Sequence, residues 1–380
     1  MQITTIALHA LRMPLVAPFT TSFGTQVERY PLIVELHGTV TGPDGAPVDA
    51  VGWGECVSGH RPEYSSEYVD GSREVMTRYL APLLYAAQRT GRLTSGTVQE
   101  WLRPIVGHPM AKAALEMAVL DAELRARGVS LAEHLGAVHD RVPSGVSVGI
   151  QKSVPELIDV VSGYLDSGYV RIKLKIRPGF DIEPVRAVRE RFPDIPLQVD
   201  ANAAYTLADV ARLRPLDDLG LLLIEQPLAE DDILQHARLA EQLRTPICLD
   251  ESIVSAESAA AAIALRATSV INVKPGRVGG YLEARRIHDI ARANGIPVWC
   301  GGMLETGIGR AANAALAALA GFTLPGDISA SDRFYATDIT EPFTLQPDGT
   351  ILVPDGPGLG VAPIPDVLAA FTVDTREVRP

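Results

Sequence analysis

Five charged residues recur at a nearly constant interval in the second half of this chain, and this spacing restricts the possible folds more than any other feature. Each residue ends a short apolar run that is typical of a β-strand, and successive members lie 25, 25, 25 and 24 residues apart. One charge per strand indicates a repeated strand and helix unit. The five residues are Lys175, Asp200, Glu225, Asp250 and Lys274.

The surrounding pattern predicts an α/β fold, a (β/α)7β TIM-like barrel. A doubly wound sheet is the alternative, but neither a G-x-G-x-x-G nor a P-loop sequence follows the first strand. The eight expected strands are 145–149, 170–176, 197–200, 221–225, 247–250, 270–274, 298–301 and a weaker one at 322–328. The seven expected helices begin near Val154, Ile182, Leu207, Ile233, Ala256, Tyr281 and Gly309.

The rest of the chain predicts an added domain, since 380 residues exceed what a barrel alone needs. Residues 1–130 are expected to form an α+β capping domain, with a hairpin around a turn at 42–45 and a helix over 110–127 that Gly128 ends. The barrel should occupy 140–335. The proline- and glycine-rich tail, 340–380, carries a strand-like piece at 351–353 and is expected to return to the capping domain.

The formal charge of −12 disfavours a nucleic-acid or anionic-membrane partner, because either would need a basic surface. A small-molecule substrate is expected instead. The three cysteines form no Cys-x-x-Cys motif, and neither a signal peptide nor an apolar run of transmembrane length occurs. These features favour a cytoplasmic protein.

In a barrel, residues at the carboxyl ends of the strands converge on one mouth. Three carboxylates there, from Asp200, Glu225 and Asp250, would repel each other unless a cation lay among them. Oxygen ligands favour Mg²⁺, or alternatively Mn²⁺ or another divalent cation. A single acid at a strand end could instead cap the following helix, but five charges in phase favour a shared site.

Two lysines on the second strand, Lys173 and Lys175, are two residues apart and therefore share a face. An exposed edge strand is the alternative, but both faces of a parallel sheet are covered. Neighbouring positive charges should favour a neutral amine, which can act as a general base. Lys274 lies four strands away, so the two lysines Lys175 and Lys274 should flank a substrate. A phosphate loop at 274–280 is the alternative reading.

Residues 145–149 match the G-x-S-x-G string of a hydrolase nucleophile elbow. That motif needs a sharp turn into a helix, whereas the valines beside Ser147 continue a strand. We therefore expect Ser147 to point into the barrel and contact substrate. Phe19, Phe23 and Tyr64 could form a lid over the mouth, although ordinary packing between domains is the alternative.

At these residues the whole chain resembles the enolase superfamily, in its muconate lactonizing subgroup, and most closely the N-acylamino acid racemase/o-succinylbenzoate synthase family. The strings that carry the resemblance are Lys173-Leu174-Lys175, Asp200-Ala201-Asn202, Glu225-Gln226-Pro227, Asp250-Glu251-Ser252, Lys274-Pro275-Gly276 and Gly301-Gly302-Met303-Leu304-Glu305.

The resemblance implies that Asp200, Glu225 and Asp250 hold Mg²⁺ and that Lys175 and Lys274 are the acid and base catalysts. Substrate contacts are expected from Lys173 and from members of the same strings, namely Asn202, Gly302, Met303 and Glu305. Family members form homo-oligomers, often octamers.

The implied reaction removes the proton beside a carboxylate. It would racemise N-acylamino acids such as N-succinyl derivatives, or dehydrate a precursor to o-succinylbenzoate in menaquinone synthesis. A muconate-type cycloisomerase, a dipeptide epimerase and a catalytically silent metal-binding relative are the alternatives. The dipeptide epimerases carry a D-x-D element where this chain has Asp327-Ile328-Ser329, which argues against a dipeptide substrate.

Overall fold

In the computed structural model, which covers residues 1–380, the N-terminal part of the chain contributes three strands to a four-stranded antiparallel sheet with helices on one face. The fourth strand of this sheet comes from the C-terminal tail. The predicted hairpin is confirmed, because the fourth and fifth strands are antiparallel neighbours that pair from Leu32↔Cys56 to Thr41↔Pro47. The first strands of the chain are β1 (Gln2–Leu11), β2 (Met13–Thr20), β3 (Thr25–Arg29), β4 (Leu32–Thr41) and β5 (Pro47–Cys56). A separate two-stranded ribbon is made by β2 and β3.

The longest helix lies directly against this sheet, and glycines make the close approach possible. A Cβ on Gly52 or Gly54 would lie 2.0 or 2.1 Å from a carbonyl oxygen of the helix, so no other residue fits there. The helix ends at Gly128, whose φ of 70° is the left-handed cap predicted from the sequence. The helices of this part are α1 (Val69–Val75), α2 (Ala81–Gln88), α3 (Val98–Leu102), α4 (Pro109–Arg127) and α5 (Leu131–Leu135).

The second part of the chain contains a curled parallel sheet of seven strands, in which each strand is paired with the next one along the chain. The first seven predicted barrel strands are confirmed, although most are shorter than expected. After β6 (Arg141–Pro143), they are β7 (Gly145–Val148), β8 (Arg171–Lys175), β9 (Leu197–Asp200), β10 (Ile224–Glu225), β11 (Ile247–Leu249), β12 (Val270–Val273) and β13 (Val298–Cys300).

The eighth strand, predicted at 322–328, is wrong as a regular strand. Only single parallel bridges join this segment to its neighbours, at Val298↔Phe322 on one side and Ser144↔Gly326 on the other. These two bridges close the ring. The proline at 325 has no N–H to donate, so a continuous ladder cannot form there.

The barrel helices begin close to the predicted residues, and side-chain caps account for several of the starts. Ser153, Asp232 and Ser255 each accept a hydrogen bond from a backbone N–H of the first turn. At Leu207 the chain first makes a 3₁₀ turn, and the last helix begins two residues early, at Gly307. The helices are α6 (Val154–Asp166), α7 (Ile182–Arg191), α8 (Val210–Leu213), α9 (Ile233–Ala240), α10 (Ala256–Ala264), α11 (Pro275–Val278), α12 (Tyr281–Ala293) and α13 (Gly307–Ala317).

The tail contacts both parts of the molecule. Its first strand, β14 (Thr350–Leu352), pairs with β6 below the barrel, whereas α14 (Pro365–Phe371) leads into β15 (Thr372–Val378), which pairs with β1. The sequence did not indicate β15, since this edge strand is mostly exposed and has few apolar residues. Separate apolar cores fill the barrel and the N-terminal sheet. No helix has the length and apolarity needed to cross a membrane.

Candidate active site

The five evenly spaced charged residues meet at the carboxyl ends of neighbouring strands. Asp200 and Glu225 are the last residues of β9 and β10 and pair in register, while Asp250 and Lys274 directly follow β11 and β12. Lys175 ends β8 and is in register with Asp200. All five side chains are buried. Because each strand is paired with the next along the chain, these residues lie in one row around the barrel mouth.

The two lysines Lys175 and Lys274 lie at opposite ends of a row of three carboxylates. Lys175 donates from Nζ to Asp200 Oδ2 over 2.6 Å and to Asn202 Oδ1 over 2.7 Å. Lys274 donates from Nζ to Asp250 Oδ2 over 2.7 Å and to the Tyr64 hydroxyl over 3.0 Å. Because both ammonium groups also border the cavities described below, two proton-carrying groups face one space from two sides.

The third lysine, Lys173, is surrounded by carboxylates at the bottom of the site. Its Nζ lies 2.5 Å from Asp327 Oδ2, 3.0 Å from Glu225 Oε2 and 3.5 Å from Asp200 Oδ2. The ammonium also lies 4.7 Å from the ring centroid of Trp299, a cation–π distance. Asp327 is held on its other side by Arg171 at 2.8 Å. The structure therefore fixes Lys173 as a buried cation with ion pairs on two sides.

Burial and charge set the ionisation of the three carboxylates. Burial raises the pKa of Glu225 to about 8, with the negative charge of Asp200 acting in the same direction. Burial likewise raises the pKa of Asp250 to about 7 against the opposing effect of Lys274. For Asp200 burial is outweighed by Lys175 and Lys173, which lower the pKa to about 2. Glu225 and Asp250 thus lack enough neighbouring positive charge to offset the cost of burying their ionised forms.

The pKa values of Lys173 and Lys274 are shifted in the opposite direction from the one expected. Burial opposes the charge of Lys173, but Asp327, Glu225 and Asp200 outweigh it and hold its pKa above the ordinary value. The same balance, with Asp250 as the main partner, raises the pKa of Lys274. The expectation of a neutral amine counted the positive charges of the neighbouring lysines and of a metal ion. Here the negative charges of the carboxylates outweigh those positive charges and keep Lys173 and Lys274 protonated.

The carboxylates have the chemistry of a divalent-cation site. They are three hard oxygen donors within a buried space, and Glu225 Oε2 has no hydrogen bond although Lys173 is near. Glu225 Oε1 accepts from the Asn272 amide over 2.7 Å, which orients the group. In this structure no three acidic, His or Cys side chains converge on one point, since ammonium groups lie between the carboxylates. The donor set and its excess negative charge fit a cation such as Mg²⁺ or Mn²⁺.

Two small cavities adjoin the lysine pair, and both are bordered by Phe19, Lys175, Lys274 and Gly302. The inner lobe extends toward Ser147 and Lys173, and the outer lobe extends toward the N-terminal unit. The inner lobe has a volume of about 50 Å³ and the outer lobe of about 70 Å³. The other predicted contacts that line the outer lobe are Phe23, Tyr64, Asn202 and Met303.

The aromatic residues predicted as a lid border this space. The rings of Phe23 and Tyr64 lie 5.2 Å apart, and the Tyr64 hydroxyl reaches Lys274. Glu305 is the exception among the predicted contacts, because it lines neither lobe. Its two oxygens accept from Met303 N and from Asn313 Nδ2, both over 2.9 Å, so Glu305 supports the loop rather than facing the cavity.

The competing sequence motifs do not correspond to sites. Ser147 lies within β7, and the next helix along the chain begins only at Val154, so the sharp turn of a nucleophile elbow is missing. Its hydroxyl is buried without a partner and borders the inner lobe. The phosphate-loop reading also fails, because Lys274 is already paired with Asp250 and the helix after it has only four residues.

Several site residues were missed from the sequence. Asp327 was considered only for substrate preference, yet it is the carboxylate nearest to Lys173. Arg277 contacts Asp250 Oδ1 and was read only as part of a loop. Gly301 permits the Lys274 side chain to pass, since a Cβ there would lie 2.6 Å from Lys274 Cε. A charged residue near a strand end was a usable signal for Asp327, whereas the other two contacts depend on tertiary structure.

Comparison with known proteins gives consistent results over the whole chain. Residues 3–136 match the family model of the mandelate racemase/muconate lactonizing enzyme N-terminal domain, and residues 156–367 match the enolase C-terminal domain-like model. The chain is 62% identical to an N-succinylamino acid racemase of an Amycolatopsis species, with 98% of both chains covered. It is 46% identical to the o-succinylbenzoate synthase of Geobacillus kaustophilus, covering 98% of this chain and 94% of that one.

A solved structure described as a member of the enolase superfamily from Listeria innocua superposes with a TM-score of 0.92. It is 40% identical, and the match covers 100% of this chain and 99% of that one. The barrel and the N-terminal unit are therefore both shared with that protein.

Proposed function

Since this chain belongs to the mandelate racemase/muconate lactonizing enzyme family within the enolase superfamily, we propose that it is a metal-dependent enzyme that removes the proton beside a carboxylate. The observation that carries the proposal is the pair of lysines at the two ends of the row of mouth carboxylates. Lys175 and Lys274 each reach the shared cavity from a different side. Such a pair can take a proton from one face of a carbon and deliver one to the other.

Asp200, Glu225 and Asp250 would hold the divalent cation, most simply Mg²⁺. When bound, the cation supplies positive charge that stabilises the negative charge developing on the substrate carboxylate. Lys173 acts from the same side, because its ammonium is buried and held in place by Asp327 and Glu225. A fixed positive charge needs little reorganisation as the substrate becomes an enediolate, which is the main contribution of a preorganised site.

Racemisation needs both members of the lysine pair. One lysine, as the neutral amine, removes the α-proton, and the opposite ammonium returns a proton to the other face. Dehydration needs Lys175 on a single face, first to take the proton and then to assist loss of a β-hydroxyl. Lys274 would then act through its positive charge alone. The aromatic cover of Phe19, Phe23 and Tyr64 would exclude water during either reaction.

The names of the similar proteins suggest the substrate class. We propose racemisation of N-acylamino acids, in particular N-succinylamino acids, dehydration to o-succinylbenzoate in menaquinone synthesis, or both. A dipeptide epimerase is less well supported, because the chain has Asp327-Ile328-Ser329 and the aspartate is already engaged by Lys173 and Arg171. A silent metal-binding relative would have no use for the two opposed lysines.

Solvent exchange provides the test. Wild-type protein with Mg²⁺ should incorporate deuterium from D₂O at the α-carbon of both L- and D-N-succinylamino acids, as followed by NMR. Lys175→Ala and Lys274→Ala should each stop racemisation, and each should retain exchange with one enantiomer only. Lys152→Ala is the matched control, since this lysine is exposed and lines neither lobe. Equal exchange of both enantiomers by one single mutant would refute the two-face assignment.

A further inference from the structure

An N-succinylamino acid carries two carboxylates, and so does o-succinylbenzoate. One is attached at or near the reacting centre, and the other ends the succinyl group. The lysines and the cation proposed above account for the first carboxylate only. If the proposed function is right, on which this inference rests, the cavity should contain a second cation that is free to bind an anion.

The cationic side chains that border the two lobes differ in the partners that they already have. Lys173, Lys175 and Lys274 each have a carboxylate partner within 3.0 Å. The remaining two are arginines. Arg29 donates from both Nη atoms to backbone carbonyl oxygens, those of Ser58 and Val57.

Arg333 has fewer partners than Arg29: neither arginine has an anionic partner, but Arg333 has one acceptor where Arg29 has two. It makes no ion pair, and its single hydrogen bond runs from Nη2 to the carbonyl oxygen of Ser147 over 2.9 Å. Its Nε is buried with no acceptor. A guanidinium has five donors, so most of the hydrogen-bonding capacity of this half-buried residue is not used by other protein groups.

The surroundings of Arg333 are aromatic rather than acidic. The guanidinium carbon lies 4.6, 4.9 and 5.7 Å from the ring centroids of Phe334, Tyr164 and Phe19. Ring faces attract a cation but do not neutralise it, and burial accordingly lowers the pKa of Arg333. A cation kept in such a place is costly unless an anion binds to it.

We propose that Arg333 binds the terminal carboxylate of the succinyl group, and so determines the preference for a charged acyl chain. The inner lobe supports this placement of the succinyl group, because its lining includes both proton-transferring lysines as well as Arg333 and Ser147. The only acid on its lining, Asp327, is neutralised by Lys173 and Arg171. Arg333 also borders a surface cavity of about 750 Å³, but Asp332 and Asp338 line that cavity and would repel an anion.

Matched substrates separate this role from a structural one. N-succinylmethionine and N-succinamoylmethionine have nearly the same shape, but the second has a neutral amide in place of the terminal carboxylate. Wild-type protein should prefer the first, and N-acetylmethionine serves as a short neutral reference. Arg333→Met should lower kcat/KM for the succinyl substrate by about 10- to 100-fold and leave the two neutral substrates within about threefold.

Two further variants control for packing and charge. Arg333→Lys should keep part of the succinyl preference, because it keeps the positive charge. Arg191→Met removes an exposed guanidinium that lies 5.0 Å from the Phe192 ring and should change nothing. An equal loss on all three substrates by Arg333→Met would overturn the proposal and leave Arg333 a packing residue.

Failure of the proposed function would give a different result. If wild-type protein exchanges the α-proton of none of these compounds, the reaction is wrong, and calorimetric binding of the succinyl and succinamoyl compounds then tests Arg333 alone. Weaker binding of the succinyl compound by Arg333→Met, with the succinamoyl compound unchanged, would support the anion site. A wild-type protein that does not distinguish the two compounds overturns the proposal, whether or not any variant folds.

Discussion

Two sets of buried carboxylates in this protein both include members with raised pKa values, but the two sets have different partners. The mouth carboxylates are Asp200, Glu225 and Asp250, and they face lysines and one another. The junction carboxylates belong to the N-terminal unit, and they face backbone N–H groups at the starts of helices. They are Glu55, Glu67 and Glu116.

Each junction carboxylate satisfies free donors in the first turn of a helix. Glu55 accepts from Thr306 N over 3.0 Å and from Gly309 N over 2.9 Å, at the start of α13. Glu116 accepts from Leu282 N over 3.0 Å, at the start of α12. The bonds of Glu55 and Glu116 join the N-terminal unit to the barrel, whereas Glu67 accepts from Met110 N at the start of α4 within that unit. All three positions suit a carboxylate, since a helix start both lacks acceptors and favours negative charge.

The pKa alone does not distinguish the two sets. Burial raises the pKa of Glu55 and Glu67 to about 7 and that of Glu116 to about 8, values close to those of Asp250 and Glu225. What differs is the partner. Backbone donors cannot take part in proton transfer, whereas lysines that border a cavity can, so only the mouth set is suited to chemistry.

The largest expected effect comes from replacing a carboxylate of each set by its amide. Glu225→Gln should lower activity with saturating Mg²⁺ by roughly a thousandfold or more, because an anionic ligand is lost. Glu116→Gln should stay within about threefold of wild type, since it leaves the mouth unchanged. The measurement is the steady-state rate of racemisation, with circular dichroism to verify folding. A comparable loss in Glu116→Gln would break the distinction between the two sets.

A second, smaller effect concerns the pH dependence of metal binding. Protons compete with the cation for Glu225 and Asp250, whose pKa values are about 8 and 7. Affinity for Mg²⁺ should therefore rise from pH 6 to pH 8, by roughly tenfold per pH unit for each proton released, and level off above pH 8. Titration calorimetry at pH 6, 7 and 8 measures it directly. Glu116→Gln should leave this profile unchanged, and a flat profile in wild type would mean that the mouth carboxylates are not the ligands.

The sequence was most informative where a charge follows an apolar run. Lys175, Asp200 and Glu225 were found because strand-end charges are visible along the chain, and the barrel then requires their side chains to meet. The eighth strand was misjudged, since its proline prevents a ladder although the segment still closes the ring. The edge strand β15 was missed because it has little apolar alternation.

Contacts that depend on distant segments could not be predicted in the same way. Arg333 lies in a 3₁₀ turn, and two of its three ring partners come from β2 and α6, more than 150 residues earlier. The charge state of Lys173 was also misjudged. The prediction of a neutral amine considered like charges, but the distances show three carboxylates around Lys173. Sequence spacing indicates which groups meet but not which of their charges dominates.

The smallest expected effect sharpens the comparison from the side of the junction set. Glu116 Oε2 is buried without a hydrogen-bond partner, so ionisation at this residue gains little from its surroundings. Its pKa of about 8 in the folded protein exceeds the value of an unfolded glutamate. Between those two pKa values the folded state holds a proton that the unfolded state has lost. Protonation of Glu116 therefore stabilises the folded protein fully below about pH 4.5, and this contribution to the free energy of unfolding declines as the pH rises toward 8.

Urea unfolding of wild type and Glu116→Gln at several pH values, with saturating Mg²⁺ so that the mouth carboxylates stay ionised, isolates this contribution, because Glu55 and Glu67 titrate in both proteins. The free energy of unfolding of wild type should fall from pH 5 to pH 8. Glu116→Gln, which carries a permanently neutral group of the same shape, should reduce that slope, with a difference of at most about 3 kcal/mol between the two proteins across the range. An unchanged slope would mean that Glu116 is ionised throughout and that its helix-start donors fully support its charge. The surroundings would then stabilise the ionised form in both sets, and only access to the cavity would distinguish the mouth carboxylates from the junction carboxylates.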